Sequence, residues 1–293
     1  MSTHKPPMRF GSLQRLVIWI AILSVWEGAY RVVGWKAWKF PAPSHVIDSV
    51  AAMLNVPLAL EEPLHRGWPL VEENDQTRPA SGPAKRVFAS PLVIANLVSA
   101  TRLACGFLLS ILLGGALGLA MWRWRALDEF LGPLFLGLQT LPSVCWVPLG
   151  ILVFGINETS ILFVLVMGSF FAIAIALRDG LKAIPPLYQR AGIMLGARGW
   201  RLYRYVLIPA SLPAFAASLR QGFSFAWRSL LGAELILAVE HKGLGFLLAT
   251  GRDFADVAQV VAVMIVMVMI GMLADRWIFA KLQHSVHRRF GLI

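Results

Sequence analysis

The chain has 293 residues, of which 57% are hydrophobic and 15% charged, with a mean hydropathy of +0.67. A soluble domain of that length carries nearer about 25% charged residues, because its exterior must be wet, so the composition argues against a soluble globular fold. The net charge of +11 suggests nucleic-acid binding, but the basic residues avoid the long apolar runs and gather at their junctions, as they do around bilayer spans.

A span needs roughly 20 apolar residues to cross about 30 Å of hydrocarbon. Six segments meet that requirement, at about 14–33, 96–121, 133–154, 159–178, 211–238 and 257–280. The N-terminal stretch carries Lys5, Arg9 and Arg15 without an acid, and the first segment lacks a small-residue cleavage site after Val33, so it is expected to stay as a span rather than be removed as a signal peptide. After it, "FPAPSHVIDSVAAML" (Phe40–Leu54) has a Pro-Ser start and an apolar stripe, which predicts a short amphipathic helix. The Pro-, Gly- and charge-rich stretch Glu61–Arg86 is expected to be a flexible insertion, with His65 a solvated loop histidine rather than a metal ligand.

The second span repeats small residues at Gly106, Ser110, Gly114 and Gly118, a spacing that lets helix backbones approach within or between subunits. Arg102, near its outer end, is expected to anchor at the interface. Cys105 and Cys145 lie in apolar segments without a metal-ligand or redox pattern and are expected to pack between helices. The third span is interrupted by Pro142 and Pro148, with Gln139, Thr140, Ser143 and Trp146 around the first of them. A carbonyl freed by proline is tolerated where it lines a cavity, or the proline serves as a simple packing kink; both readings stand. The fifth span carries Arg220, Arg228 and Glu234. Arg220 is close enough to the span end to snorkel. Arg228 either pairs with Glu234, which lies on a different helical face, or faces the central path and offsets the charge of an anionic solute.

Basic residues set the orientation. The junction after span four holds Arg178, Lys182, Arg190, Arg198, Arg201 and Arg204 against Asp179 alone, and the tail holds Arg276, Lys281, Arg288 and Arg289. The alternate junctions are balanced or acidic. Six spans with both termini in the cytoplasm fit every junction, and the fold class expected is all-α and polytopic.

Within the basic junction, Leu187, Ala191, Met194 and Leu195 share one helical face, and Gly196 and Gly199 permit a turn between two short helices. An apolar ridge with a basic surround fits a helix docking into a partner's groove, and equally a helix lying on the inner leaflet. The stretch "RAGIMLGARGWRLYRYVLIP" resembles the cytoplasmic signature of ABC importer permeases, Glu-Ala-Ala-x-x-x-Gly with a proline thirteen residues after the glycine. Arg190, Ala191 and Gly192 fall on its first three positions, Gly196 on the glycine and Pro209 on the proline; Arg190 replaces glutamate and Gly192 replaces alanine. Further along, "FPAPSHVIDSV", "LVSATRLACGFLLSILLGGALGLAM", "LQTLPSVCWVPLGILVFG", "LRDGLKAIPP", "GAELILA" and "GLGFLLATGRDF" occur in the order seen in permeases of the nitrate, sulfonate, taurine and bicarbonate type.

That resemblance implies a MetI-like type I importer permease fold, six transmembrane helices with a cytoplasmic coupling helix. Residues 1–95 would form the first span with an extracytoplasmic amphipathic and insertion region, 96–280 the permease core and 281–293 a cytoplasmic tail. It implies a multi-pass subunit of the bacterial inner membrane, working as a homodimer with two cytoplasmic ATP-binding subunits and an extracytoplasmic solute-binding protein, and binding no nucleic acid. ATP and Mg²⁺ would sit on the partner ATPase, and this chain would bind no cofactor or metal and catalyse nothing; the chain has no GxxxxGK[S/T] motif. Coupling would fall to Leu187, Arg190, Ala191, Gly192, Leu195, Gly196, Ala197 and Pro209. The path would involve Gln139, Thr140, Pro142, Ser143, Trp146, Arg228 and Glu234. The solute would be a small anion such as a sulfonate, nitrate or bicarbonate. An ion-gradient-driven transporter or channel is the alternative, for which inverted repeats and central acids would be expected.

Overall fold

The computed structural model describes residues 12–34, 39–54, 90–237, 239 and 241–289. The insertion near 55–88, His65, Lys5 and Arg9 lie outside the described residues. Those described form helices and no strand. They group into two compact units, one of residues 1–91 and 250–264, the other of 92–249 and 265–293.

In the first unit, α1 (Ser12–Val33) and α2 (Pro43–Met53) are joined by specific polar contacts. The Trp26 indole N–H donates to the Pro41 carbonyl at 3.2 Å, and Glu27 accepts from the Ser44 hydroxyl at 3.4 Å. Pro43 opens α2, where its missing N–H costs nothing, and Val46, Ser49 and Met53 form the buried stripe expected of an amphipathic helix.

The second unit is organised around α6 (Glu158–Lys182), which follows α3 (Pro91–Arg123), α4 (Arg125–Thr140) and α5 (Val147–Phe154). Its most apolar stretch is 72% buried, against 22% for α3 and 24% for the helix ending at Ile236, so α6 is the core of the unit and the others pack round it. Between membrane helices there is no hydrophobic drive, so close approach depends on small residues. Those of α3 meet α6 in register. A Cβ on Gly106 would touch Leu165, one on Gly114 the Phe170 carbonyl and Ile173, and one on Gly118 the Ala174 carbonyl. Ser169 donates to the Ser110 hydroxyl at 2.7 Å. The small-residue face of α3 thus packs within the subunit, and the two helices run parallel.

After α6 come α7 (Pro186–Met194), a helical turn at Trp200–Leu202, a π-helical segment at Tyr203–Leu207 and α8 (Ile208–Ile236). α8 runs antiparallel to α6, with Gly180 against Ala214, Ile173 against Gly222 and Gly168 against Ser229. The second short helix expected after Gly199 is therefore not separate: it runs through the π segment into α8 as one helix from Trp200 to Ile236. Wider π winding relaxes the ladder where Pro209 supplies no N–H. α9 (Leu244–Asp253), α10 (Val257–Ala274), a π segment at Asp275–Phe279 and α11 (Ala280–Arg289) complete the chain.

The third expected span is broken. α4 and the segment Ser143–Phe154 meet at 102°, because Leu141 is extended before Pro142 (φ −67°, ψ 127°), as a residue preceding proline tends to be. Pro148 does not interrupt anything, since it lies in the first turn of α5. The bent pair crosses rather than turning back. Its start lies beside the C-terminal end of α6, where Asp128 meets Arg178 and Lys182. Glu158, which follows it, lies beside Arg102 at the opposite end. Among the described residues four helices are long and apolar enough to span a bilayer, and the bent pair, taken as one span, makes five. The helix expected as the first span, α1, forms over 22 residues but is not among them and carries Arg15, Glu27 and Arg31.

Candidate functional site

Two features of the second unit present chemistry that its own packing does not consume. The first is α7. Proline at its first turn starts it, and a Schellman turn ends it: the Ala197 N–H bonds the Gly192 carbonyl at 2.9 Å and the Gly196 N–H bonds the Ile193 carbonyl at 3.0 Å. Gly196 has φ +83° and Gly199 φ +53°, the left-handed region that penalises a Cβ, which is why glycine stands at both positions. Gly192 is buried; a Cβ there would come within 2.8 Å of Leu202 and 2.9 Å of Val206. That approach explains glycine in place of the alanine of the family signature. The opposite face is unpacked: Leu187 is 72% exposed, Met194 and Leu195 each 88%, with Ala191, Arg190, Arg198, Arg201 and Arg204 exposed around them.

The second feature is a recess of about 280 Å³ inside the bend of the broken span. Gln139, Thr140, Pro142, Ser143 and Trp146 line it from the bend, Met167 and Gly168 from α6, and Phe225, Arg228 and Ser229 from α8. Arg228 is the single charged side chain in this lining. Its Nε donates to the Ser224 carbonyl at 2.9 Å and its guanidinium carbon lies 4.8 Å from the centre of the Phe225 ring. No carboxylate among the described residues pairs with it.

Glu234 is placed elsewhere, so the pairing with Arg228 is not formed. It is 2% exposed and accepts from Arg102 Nη1 at 2.7 Å, from the Ser99 hydroxyl at 2.8 and 2.9 Å, and from the Gly245 N–H at 3.0 Å. Arg102 also holds Glu158 in a fork, Nε at 2.7 Å and Nη2 at 2.6 Å, and donates to the His241 carbonyl. Gly243 and Gly245 leave room for the Glu234 carboxylate, which a Cβ on Gly243 would meet at 2.3 Å. Arg102 is thus a buried pin joining α3, α6 and α8 rather than an interfacial anchor. Arg220 is bidentate to Asp275 at 2.6 and 2.7 Å, a partner the sequence reading did not give it. Cys105 and Cys145 are both exposed instead of packed between helices.

Residues 106–287, more than half of the chain, match the family described as binding-protein-dependent transport system inner membrane component. The chain belongs to that family. Among its relatives is an ABC transporter permease protein of Methanocaldococcus jannaschii, 34% identical over 63% of this chain and 69% of that one. A bicarbonate transport system permease of Synechococcus elongatus is 27% identical over 66% and 69% respectively, and a taurine transport system permease of Escherichia coli 29% identical over 60% and 64%. In fold, the permease is similar to that of an inward-facing MetNI methionine ABC transporter, with TM-score 0.56 and 17% identity over 70% of this chain and 99% of that chain. An amino acid ABC transporter solved with histidines gives TM-score 0.52 at 18% identity, over 68% and 93%. The resemblance to importer permeases read in the sequence is borne out.

The structure brings six of the seven expected path residues to one recess and takes Glu234 from it. Sequence reasoning missed Met167, Gly168, Phe225 and Ser229 in that lining, and the partners Ser99, Glu158, Gly243 and Gly245 of the permease's buried pin. The motifs "SATRLA", "GAELILA" and "GLGF" held the signal for the pin, but not the pairing.

Proposed function

We infer that this chain is the membrane subunit of an ATP-driven ABC importer for a small solute with an anionic group, such as a sulfonate (taurine among them), nitrate or bicarbonate. The observation that carries the reading is α7: a helix outside the spans whose apolar ridge, Leu187, Met194 and Leu195, is exposed and ringed by arginine. A helix on its own gains nothing by exposing that ridge to water, whereas an ATPase groove would bury it. The Schellman turn at Gly196 and the packing of Gly192 on Val206 tie α7 to the helix that continues into α8, so motion of a docked partner would pass as a rigid-body rotation into the recess. Leu187, Arg190, Ala191, Leu195, Ala197 and Pro209 complete the proposed coupling element. Two copies of the chain, two cytoplasmic ATPases holding ATP and Mg²⁺, and an extracytoplasmic solute-binding protein make the working complex of the inner membrane.

Support for an anion comes from Arg228, a cation within a span that has no carboxylate partner among the described residues; a charge there is costly and is commonly found on a solute path. The α7 end carries the basic junctions, and the reading places it and both termini in the cytoplasm. Co-purification tests the class: the importer brings down an ATPase, and an ion-gradient transporter does not. Labelling of a cysteine at position 198 in a background lacking Cys105 and Cys145 tests the orientation. Reaction with a membrane-impermeant probe in intact cells would reject it.

A further inference from the structure

We propose that the end of α10 is a binding site for an anionic phospholipid, whose phosphate is held by Arg276 and Lys281 while Trp277 beds in the membrane interface beside it. The site needs only that α10 spans the bilayer, and so stands apart from the coupling and solute readings. Three observations converge on it.

The first is depth. α10 has 18 residues, none of them charged. At 1.5 Å per residue it is about 27 Å long, close to the roughly 30 Å of a hydrocarbon core. The helix continues to Val286, so the residues from Asp275 onward emerge at the level of the lipid headgroups. Tryptophan is favoured at that level, because its ring is apolar and its N–H is not.

The second is charge. Asp275 is the single acid between 275 and 289, and Arg220 of α8 holds it bidentately at 2.6 and 2.7 Å. Its charge is spent within the fold. Arg276 and Lys281 are exposed and have no carboxylate partner among the described residues. Lys281 is nonetheless positioned: its Nζ lies over the Trp277 ring, 4.5 Å from the centroid.

The third is direction. Phe279 is 6% exposed and stacks on Phe223 with centroids 4.6 Å apart, and it meets Phe107 edge-on at 6.1 Å. With the Arg220 fork, these contacts fix one side of the segment against α8 and α3. Trp277, 62% exposed, and Ile278, 59% exposed, are left on the outside beside the two cations. Water would meet an aromatic and an aliphatic side chain there at a cost. A second copy packed face to face would set like charges against each other. A phospholipid suits both halves, with a phosphate for the cations and an acyl boundary for the apolar side chains.

The test places the full chain in nanodiscs of phosphatidylcholine, alone or mixed with phosphatidylglycerol. Native mass spectrometry counts the lipid it retains, and its melting temperature is followed in parallel. Phosphatidylglycerol is expected to be retained in preference and to raise the melting temperature saturably. Arg276→Gln and Lys281→Gln are each expected to weaken that preference about fivefold, and together about thirtyfold. Trp277→Ala is expected to weaken it about threefold, because Lys281 loses the ring that positions it. Arg125→Gln removes an equal charge, from an exposed arginine paired with Glu129, and is expected to leave the preference unchanged. In phosphatidylcholine alone, Arg276→Gln and Lys281→Gln are expected to melt with the wild type, which a merely structural role would not allow.

Equal retention of the two lipids would overturn the site, as would a preference that survives the double variant. An equal loss in Arg125→Gln would replace the site by diffuse surface attraction. A rise in melting temperature produced by sodium phosphate in phosphatidylcholine nanodiscs would make it a site for free phosphate and reject the lipid. Cross-linking of Trp277→Cys to a second copy, in a background lacking Cys105 and Cys145, would place a protein on this face and reject the lipid as well.

Discussion

The two ends of the α3, α6 and α8 assembly are built on opposite principles. At one, Arg102, Glu158, Glu234 and Ser99 meet in a cluster whose ionic groups find their partners inside the chain. At the other, α7 holds Leu187, Met194 and Leu195 out of the fold, with exposed arginines around them. A buried charge without a partner is too costly to keep, so the first end is closed by necessity. An apolar ridge exposed to water is costly as well unless something covers it, and none of the described residues covers this one. The contrast separates an end whose charges are closed within the chain from an end whose apolar ridge is left exposed.

The comparison breaks most visibly at Arg102. Arg102→Met leaves Glu234 buried without its cation and is expected to cost about 3–5 kcal/mol, read as a fall in melting temperature or loss of folded protein. Adding Glu234→Met to it removes the orphaned charge, so the double variant is expected to lose less than the sum of the singles. Glu158 then remains with a side chain 41% exposed, open to water.

Leu195→Asp sharpens the contrast from the other end. With 88% of Leu195 exposed, it is expected to change stability by less than about 0.5 kcal/mol, while ATPase association and uptake in proteoliposomes fall to background. Retention of full transport would remove α7 from the coupling role. A smaller effect is expected at Gly196→Ala. No atom lies near a Cβ there, so the cost is the left-handed backbone alone, about 1 kcal/mol, with a partial loss of coupling as the turn relaxes. Arg190→Glu, which restores the acidic residue of the family signature on an exposed face, is expected to change neither stability nor transport measurably.

Much of this was legible in the amino-acid order, and the reason is locality. Twenty apolar residues, a basic junction, a ridge at helical spacing and a glycine where the chain must turn are each properties of a short window. Hydropathy, charge and backbone sterics read such windows directly. The α3 motif at four-residue spacing likewise predicted a packing face, although not that Leu165, Ile173 and Ala174 of α6 would fill it.

What only the tertiary structure decided is which groups share a space. Glu234 stands six residues after Arg228 in the chain, yet its cation is Arg102, 132 positions away, because helices crossing a bilayer meet by docking small residues and not by sequence distance. The same docking brings Ser229 from α8 and Gly168 from α6 to the Pro142 bend, making a recess from three separate segments. Pro142 announced a break, but its 102° angle depends on α4 and α5 each packing against α6. Helical period tells which residues lie on one face; only the packed helices determine what that face meets.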